Sequence, residues 1–293
     1  MISILIQSVL LGGYYALMAA GLSFMFSVMR IINLAHGSLA VLSAYLLFVL
    51  AQTYHISPFL GLLIVLPLMA ALGLLLQRFV LDRSLRAGPL VPILATFGLA
   101  ILIDNLLFER FGANTRSLGN FVGSLSYDSI ELPGNIYVGT LAVYLFVTAI
   151  LVLGSLQLLL NFTPMGRAIR ATAEDPDTAP LVGIDPRMVN GVAAAIALVA
   201  VGIAGAALGM RGTFDAYAGA AQLLFAFEAA VIGGAGSVWG TLIGGIVLAI
   251  AQSIGAQLSP LGFLIAGHTV FLIVLFVRIW LAGGVGAMLK MRP

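Results

Sequence analysis

The chain has 293 residues, of which 61% are hydrophobic and 8% are charged, and its net charge is +2. Soluble domains carry about 25% charged residues, so the composition excludes an ordinary water-soluble domain, and the scattered basic residues exclude the basic patch of a nucleic-acid-binding protein. Cysteine is absent, which excludes disulfide bonds and thiolate metal sites.

Apolar segments recur along the whole chain. A hydrocarbon core of about 30 Å requires a helix of about 20 residues. In chain order the segments are 2–28, 39–50, 58–80, 90–108, 136–160, 188–210, 222–232, 238–252 and 261–279. They predict an all-α membrane protein, a polytopic bundle of about eight or nine transmembrane segments that forms a single domain over residues 1–293. Segments 39–50 and 222–232 are short, which predicts one or two broken or re-entrant helices.

The basic residues predict the orientation, because loops on the cytoplasmic side are enriched in lysine and arginine. With the amino terminus outside and a crossing at each segment, ten basic residues face the cytoplasm: Arg30, Arg78, Arg83, Arg86, Arg167, Arg170, Arg187, Arg278, Lys290 and Arg292. Arg110, Arg116 and Arg211 then lie outside. The outer loop 109–135 and the turn 213–219 form the predicted docking surface for a soluble partner, or only connect the helices.

Polar residues inside the apolar segments are candidates for a translocation path or gate. Asn33 and His36 lie three apart before Gly37, which would permit an unwound turn whose free backbone groups bind a zwitterion. A histidine hydrogen-bonded inside the bundle is the alternative for His36. Asp104 lies near the outer end of its segment, which predicts that its carboxylate lies at the membrane interface.

The late part of the chain adds a second group of candidates. Glu228 suits either an interhelical hydrogen bond or a place on the path, and Gly233, Gly234 and Gly236 break the helix, so that they favour close packing or a pivot. His268 predicts a packing residue, since the sequence offers no second metal ligand at suitable spacing.

The cytoplasmic loop 161–187 contains three helix-start signals. Thr163, Asp175 and Asp185 each precede a proline, which is the pattern of a capping side chain followed by proline at the first helical position. We therefore expect three helices, the second ending near Gly183. Connections between helices usually need about 2–8 residues, so a structured loop of this length predicts a surface that another protein grips. A solvated elbow at the lipid surface is the alternative.

Three stretches carry a resemblance to a known family. They are IINLAHGS at 31–38 followed by Tyr45, TPMGRAIRATAEDPDTAPLVGI at 163–184, and AAVIGGAGSVWGTLIGG at 229–245. Together they resemble the inner-membrane permeases of branched-chain amino-acid ABC importers, the LivH-type subunit, over essentially the whole chain. Related subfamilies carry urea or short amides, which leaves the solute open.

The resemblance implies a permease domain without enzyme activity in the bacterial inner membrane. It also implies these partners: a second permease subunit, two ATP-binding subunits, a periplasmic solute-binding protein and membrane lipids. This chain is expected to bind no cofactor, since ATP is used by the partner subunits. The implied ATPase-coupling surface consists of Thr163, Gly166, Arg167, Arg170, Glu174, Asp175 and Gly183.

Motifs for chemistry on the chain itself are missing from the sequence. The only lysine is Lys290, and no phosphate-binding loop surrounds it. A stand-alone ion-coupled transporter that uses Glu228, Asp104 or His36 as a relay is the alternative to the ABC permease. That alternative gives no reason for the capped cytoplasmic loop.

Overall fold

The computed structural model describes residues 2–88 and 90–289, with side chains described up to residue 280. The helices are α1 (Ile2–Met29), α2 (His36–Tyr54), α3 (Pro58–Leu76), α4 (Asp82–Ala87), α5 (Val91–Phe111), α6 (Thr140–Phe162), α7 (Pro164–Glu174), α8 (Pro186–Arg211), α9 (Gly219–Gly233), α10 (Val238–Leu258) and α11 (Gly262–Leu289). Eight helical stretches of the described chain are long and apolar enough to cross a membrane, and α9 is a shorter apolar helix. The predicted all-α polytopic bundle is therefore confirmed.

Helices α1 and α8 form the centre of the bundle and run antiparallel. Gly21 of α1 contacts Ala197 of α8, and the Arg211 guanidinium at the end of α8 lies 4.7 Å from the ring centroid of Tyr14. Small residues line both helices, so that neighbouring backbones approach closely. Such close packing is usual in membranes, because the hydrophobic effect does not drive helices together there. The outward faces of α3, α5, α6 and α11 carry exposed apolar side chains, which is the pattern expected towards lipid.

The helices form two similar groups with opposite directions. Helix α1 packs on α9 and α10 in the way that α8 packs on α2 and α3. Since α1 and α8 are antiparallel, the groups α1–α2–α3–α5 and α8–α9–α10–α11 are related as an inverted repeat. In transporters such repeats place the functional groups near the middle of the membrane, at the repeat interface.

Each group contains one broken segment. After α1 the chain runs without helical structure over residues 30–35, and His36 then contacts Met18, three helical turns before the end of α1. Helix α2 therefore begins deep within the bundle. Helix α9 likewise begins inside, because residues 212–218 bring Gly219 against Gly37.

Several segment limits differ from the prediction. The broken part of the second segment precedes the helix, since α2 extends over 19 residues instead of 39–50. The third segment continues through a π-helical turn, Gln77–Leu81, into α4, and α10 extends to Leu258. The apolar runs gave too short a length for these helices. Polar residues that are buried, or that lie at the helix ends, continue the helical hydrogen bonding beyond each run.

The outer loop holds a small hairpin that was not predicted. Strands β1 (Ser129–Leu132) and β2 (Ile136–Gly139) pair antiparallel, so residues 136–139 belong to this hairpin and the membrane helix begins at Thr140. The same loop pairs with the turn before α9 through two backbone hydrogen bonds between Arg116 and Phe214, of 2.8 and 2.9 Å. The two predicted outer segments therefore form one surface.

The structure groups the basic residues at two ends of the bundle. The end of α1 meets the α9–α10 turn, the end of α3 meets the start of α8, and Arg278 lies at the end of α9. Nearly all of the arginines predicted to be cytoplasmic thus share one end, which we call the cytoplasmic end. Lys290 and Arg292 lie outside the described residues.

Candidate functional site

The predicted coupling loop begins with a capped helix. The Thr163 Oγ1 atom accepts a hydrogen bond of 2.9 Å from the Gly166 N–H, and Pro164 occupies the first helical turn of α7. A Cβ atom on Gly166 would overlap the backbone of Leu159 and Leu160. Thr163 therefore caps α7 as its pairing with proline predicts, and Gly166 allows α7 to pack closely against the end of α6.

The second start signal forms a turn instead of an α-helix. The Asp175 Oδ1 atom accepts hydrogen bonds from Asp177 N and Thr178 N, and a 3₁₀-helix, Ala179–Val182, follows. The Thr178 side chain and these N–H groups hold the pKa of Asp175 below its usual value. The prediction of a second α-helix was wrong, because the carboxylate closes a local turn that competes with helix.

The end of the turn and the third signal agree with the prediction. Gly183 adopts a left-handed conformation with φ of 79°, and it ends the 3₁₀-helix. Asp185 Oδ1 accepts from Arg187 N, so Asp185 caps α8. The loop is thus fixed at both ends by side-chain caps.

Helix α7 separates a buried face from a charged one. Gly166, Ile169 and Thr172 are buried, whereas Arg167, Arg170 and Glu174 are exposed. No acidic side chain among the described residues lies within ion-pair distance of Arg167 or Arg170. Both guanidinium groups are therefore available to a partner.

Sequence reasoning missed two apolar residues at the tip of this loop. Leu181 is 84% exposed and Val182 is 74% exposed. Their signal was an apolar pair between Pro180 and Gly183 in an otherwise polar loop. We call the exposed surface formed by Arg167, Arg170, Glu174, Leu181 and Val182 the elbow surface.

A groove separates α7 from the turn between α9 and α10. It has a volume of about 350 Å³ and is lined by Ile169, Arg170, Gly236, Ser237 and Ser27. Gly234 and Gly236 have φ values of 101° and 88°, a region that favours glycine. Gly233 packs on Gly240 so closely that neither has room for a Cβ atom. The three glycines thus lie at the cytoplasmic end of α9, outside the middle of the bundle.

The other candidates meet where α2 and α9 begin. The Asn33 Oδ1 atom accepts a hydrogen bond from Ala35 N, and the His36 Nε2 atom lies 2.6 Å from the Met18 carbonyl oxygen. Gly37 packs directly on Gly219, where a Cβ atom would overlap the Gly219 backbone. The unwound segment precedes Gly37, and this glycine instead allows the two helix ends to meet. We call this contact the half-helix junction.

Glu228 lies apart from the half-helix junction. Its side chain is fully buried, and its Oε1 atom lies 2.5 Å from the Nδ1 atom of His268 on α11. His268 was expected to serve in packing alone, but the structure gives it a polar partner 40 residues away in sequence. The sequence gives no signal for this pair, because predicting it requires knowledge of which helices are neighbours.

Comparison with known proteins gives the family. The family model of the branched-chain amino acid transport system permease component matches residues 4–280. The chain belongs to this permease family. The predicted resemblance is thereby confirmed.

Individual relatives of the permease agree with this assignment. It is 27% identical to the high-affinity branched-chain amino acid transport system permease protein BraD of Pseudomonas aeruginosa, over 86% of this chain and 85% of the relative. It is 27% identical to LivH of Salmonella typhimurium, over 85% and 84% of the two chains. A probable permease, LivH of Methanocaldococcus jannaschii, is 28% identical over 95% and 90%. No solved structure matches the chain.

Location and general role follow from these findings. Membrane-length apolar helices and membership of this family make the chain a multi-pass inner-membrane protein. As the permease component of a transport system, it works with partner subunits. The family is one of transport components.

Proposed function

We propose that this permease is the membrane subunit of an ATP-driven importer for branched-chain amino acids. It pairs with a second permease subunit, binds two ATP-binding subunits at its cytoplasmic end, and receives the solute from a periplasmic binding protein. ATP is bound and hydrolysed by the ATP-binding subunits, and this chain holds no cofactor. The names of the relatives support branched-chain amino acids as the solute class. Membership of a family of permease components supports ATP hydrolysis by separate subunits.

The elbow surface is the observation that carries this proposal. Two arginines that have no ion-pair partner in the described part of the chain lie with two exposed apolar side chains on a loop that is capped at both ends. A loop that only connects two helices needs neither the caps nor an apolar tip. Exposed apolar side chains rimmed by charge are typical of a protein interaction site.

The contacts of α7 suggest how nucleotide binding reaches the membrane. Closure of the ATP-binding subunits would move α7, whose Ile169 and Arg170 line the groove shared with Gly236. The α9–α10 turn would follow, and α9 would transmit the displacement to the half-helix junction at its other end. Movement of packed helices as rigid elements is a common form of such switching.

The two outer segments support the role of the binding protein. The loop that contains the β1–β2 hairpin and the turn before α9 are joined at Arg116 and Phe214. Because that turn leads directly into α9, a protein that docks there contacts the same element that the elbow reaches from the other side. Both partners would thus act on α9.

The test is ATPase activity of the complex, purified with its partner subunits in nanodiscs, with and without leucine-loaded binding protein. Stimulation by the loaded protein is expected. If the ATPase co-purifies but leucine has no effect, urea and short amides are the next solutes; if no ATPase co-purifies, an ion-coupled transporter replaces the proposal.

The elbow is tested separately with Arg167→Glu combined with Arg170→Glu. We expect loss of the stimulated ATPase activity while membrane insertion is retained, since reversed charges repel the site that the arginines fit. Arg83→Glu is the matched control, because Arg83 is an exposed arginine of α4 at the same end of the bundle. Unchanged stimulation in the double variant would remove the elbow from coupling.

A further inference from the structure

Asp104 lies close to the half-helix junction. It lies two helical turns before the end of α5, and its carboxyl group lies beside the Ser38 side chain in the first turn of α2. Ser38 in turn contacts Gly219 at the half-helix junction. Asp104 thus lies within two turns of the outer end of α5 and also beside the start of α2, and its place at the membrane interface stays a prediction.

The Asp104 carboxylate has no cation of its own. Among the described residues no basic side chain lies within ion-pair distance of it, and its Oδ1 atom is buried without a hydrogen-bond partner. Carboxylates inside a membrane domain face a partner or a water-filled path, because an unpaired charge is costly in the hydrocarbon region. The Oδ1 atom of Asp104 thus has no partner within the described part of this chain.

The residue that follows Asp104 on α5, Asn105, is also polar. Asn105 is exposed and accepts a hydrogen bond of 3.4 Å from the Tyr217 hydroxyl, and Tyr217 lies in the segment that leads into α9. The Tyr217 ring also packs on Phe108, with 5.3 Å between ring centroids. The exposed Asn105 amide and the half-exposed Tyr217 phenol, next to each other between α5 and the start of α9, favour a wet path there over contact with lipid.

The half-helix junction supplies the complementary charge. The amino-terminal ends of α2 and α9 meet at Gly37 and Gly219, and the amino-terminal end of a helix carries partial positive charge. Asn33 lies at the start of α2, is fully buried, and its Nδ2 atom has no hydrogen-bond partner among the described residues. A buried amide donor without an acceptor therefore lies at the start of α2, and Asp104, which has no ion-pair partner among the described residues, lies beside Ser38 at the edge of the junction.

We propose that Asp104 receives the ammonium group of the transported amino acid, while the solute carboxylate lies at the half-helix junction. This assignment rests on the proposed function and specifies the ligand class, a zwitterionic α-amino acid. Asn33, His36 and Ser38 are at most 2% exposed, so the junction is closed in this conformation. The solute reaches the junction when the two half-helices separate, and Asp104 at its edge is the first contact.

The experiment is leucine uptake and ATP hydrolysis by the complete complex in proteoliposomes, at saturating leucine-loaded binding protein. We expect Asp104→Asn to lower the leucine transported per ATP by about tenfold or more, since loss of one member of a buried charge pair costs at least that factor. Stimulation of the ATPase by the binding protein should remain. Asp104→Glu, which keeps the charge, should retain a larger part of the uptake.

Glu109→Gln is the matched control, because it removes one negative charge from the exposed end of the same helix. Uptake per ATP in Asp104→Asn within twofold of the wild type would overturn the assignment. So would loss of the second permease from purified Asp104→Asn, since Asp104 would then pair with that subunit. If the wild-type complex itself shows no stimulation by leucine-loaded protein, the proposed function fails; stimulation with unaltered uptake in Asp104→Asn contradicts the Asp104 assignment alone.

Discussion

Individual glycines in this permease have different roles that depend on what lies opposite them. A Cβ atom on Gly37 would overlap the backbone of Gly219, whereas a Cβ atom on Gly98 of α5 would meet nothing within 4 Å. Backbone atoms of a packed helix cannot move aside as a flexible side chain does. The sequence shows both glycines inside apolar segments and does not distinguish them.

Gly37→Ala should therefore destabilise the permease by about 1–3 kcal/mol, the usual cost of overpacking. Gly98→Ala, the matched control, should be neutral or slightly stabilising because alanine favours helix more than glycine does. Thermal unfolding of the detergent-solubilised protein measures both. Equal melting temperatures for the two variants would contradict the close contact at the half-helix junction.

Glu228 and His268 form the second residue-scale test. His268→Leu leaves the buried carboxyl group without its partner, and we expect a loss of about 1–3 kcal/mol, the cost of an unsatisfied buried polar group. Replacing both residues by leucine should restore part of this loss. A double-mutant cycle of melting temperatures that is additive would show that the pair contributes no coupling energy.

At the scale of elements, the cytoplasmic loop shows how far local patterns reach. The caps at Thr163 and Asp185 were predicted from sequence, because each cap involves only residues two or three positions away. Asp175 also caps its neighbours, but whether it starts an α-helix or a turn depends on the packing of the whole loop. We expect the turn at Asp175 to depend on pH.

The pKa of Asp175 is lowered in the folded chain by its hydrogen bonds with Thr178 and Asp177. The ionised form therefore stabilises the turn above the unfolded pKa of about 3.9, and this contribution is lost as the pH falls through the lower folded pKa. Hydrogen exchange of the amides at 177 and 178, corrected for intrinsic rates, should accelerate over that range. In Asp175→Asn this pH dependence should disappear; its persistence would assign it to another group.

At the scale of the whole molecule, the inverted repeat fixes which loops share a side. The outer hairpin loop and the elbow surface must lie on opposite sides of the membrane if all nine segments cross it. Positive-inside counting gives the same assignment, and the side of the carboxyl-terminal part depends in addition on whether the short α9 segment crosses. Contacts between α9 and the start of α10 place the end of α9 at the cytoplasmic end.

The natural absence of cysteine allows a direct test of this topology. Ser124→Cys and Leu181→Cys introduce single thiols at exposed positions of the outer loop and the elbow. In intact spheroplasts a membrane-impermeant maleimide should label Ser124→Cys and not Leu181→Cys, and inverted vesicles should give the reverse. Labelling of both from one side would contradict the nine-crossing arrangement.

The sequence by itself determined the membrane bundle, the end of the bundle that carries the arginines, the caps of the elbow and the family. Hydropathy, charge asymmetry and capping are local or additive properties, so they can be read along the chain. Only the tertiary structure decided the depth at which α2 and α9 begin, the meeting of Gly37 with Gly219, and the position of Asp104 beside Ser38. These depend on contacts between residues far apart in sequence, and the break before α2 moves every later residue of that segment to a depth that apolar length alone does not give.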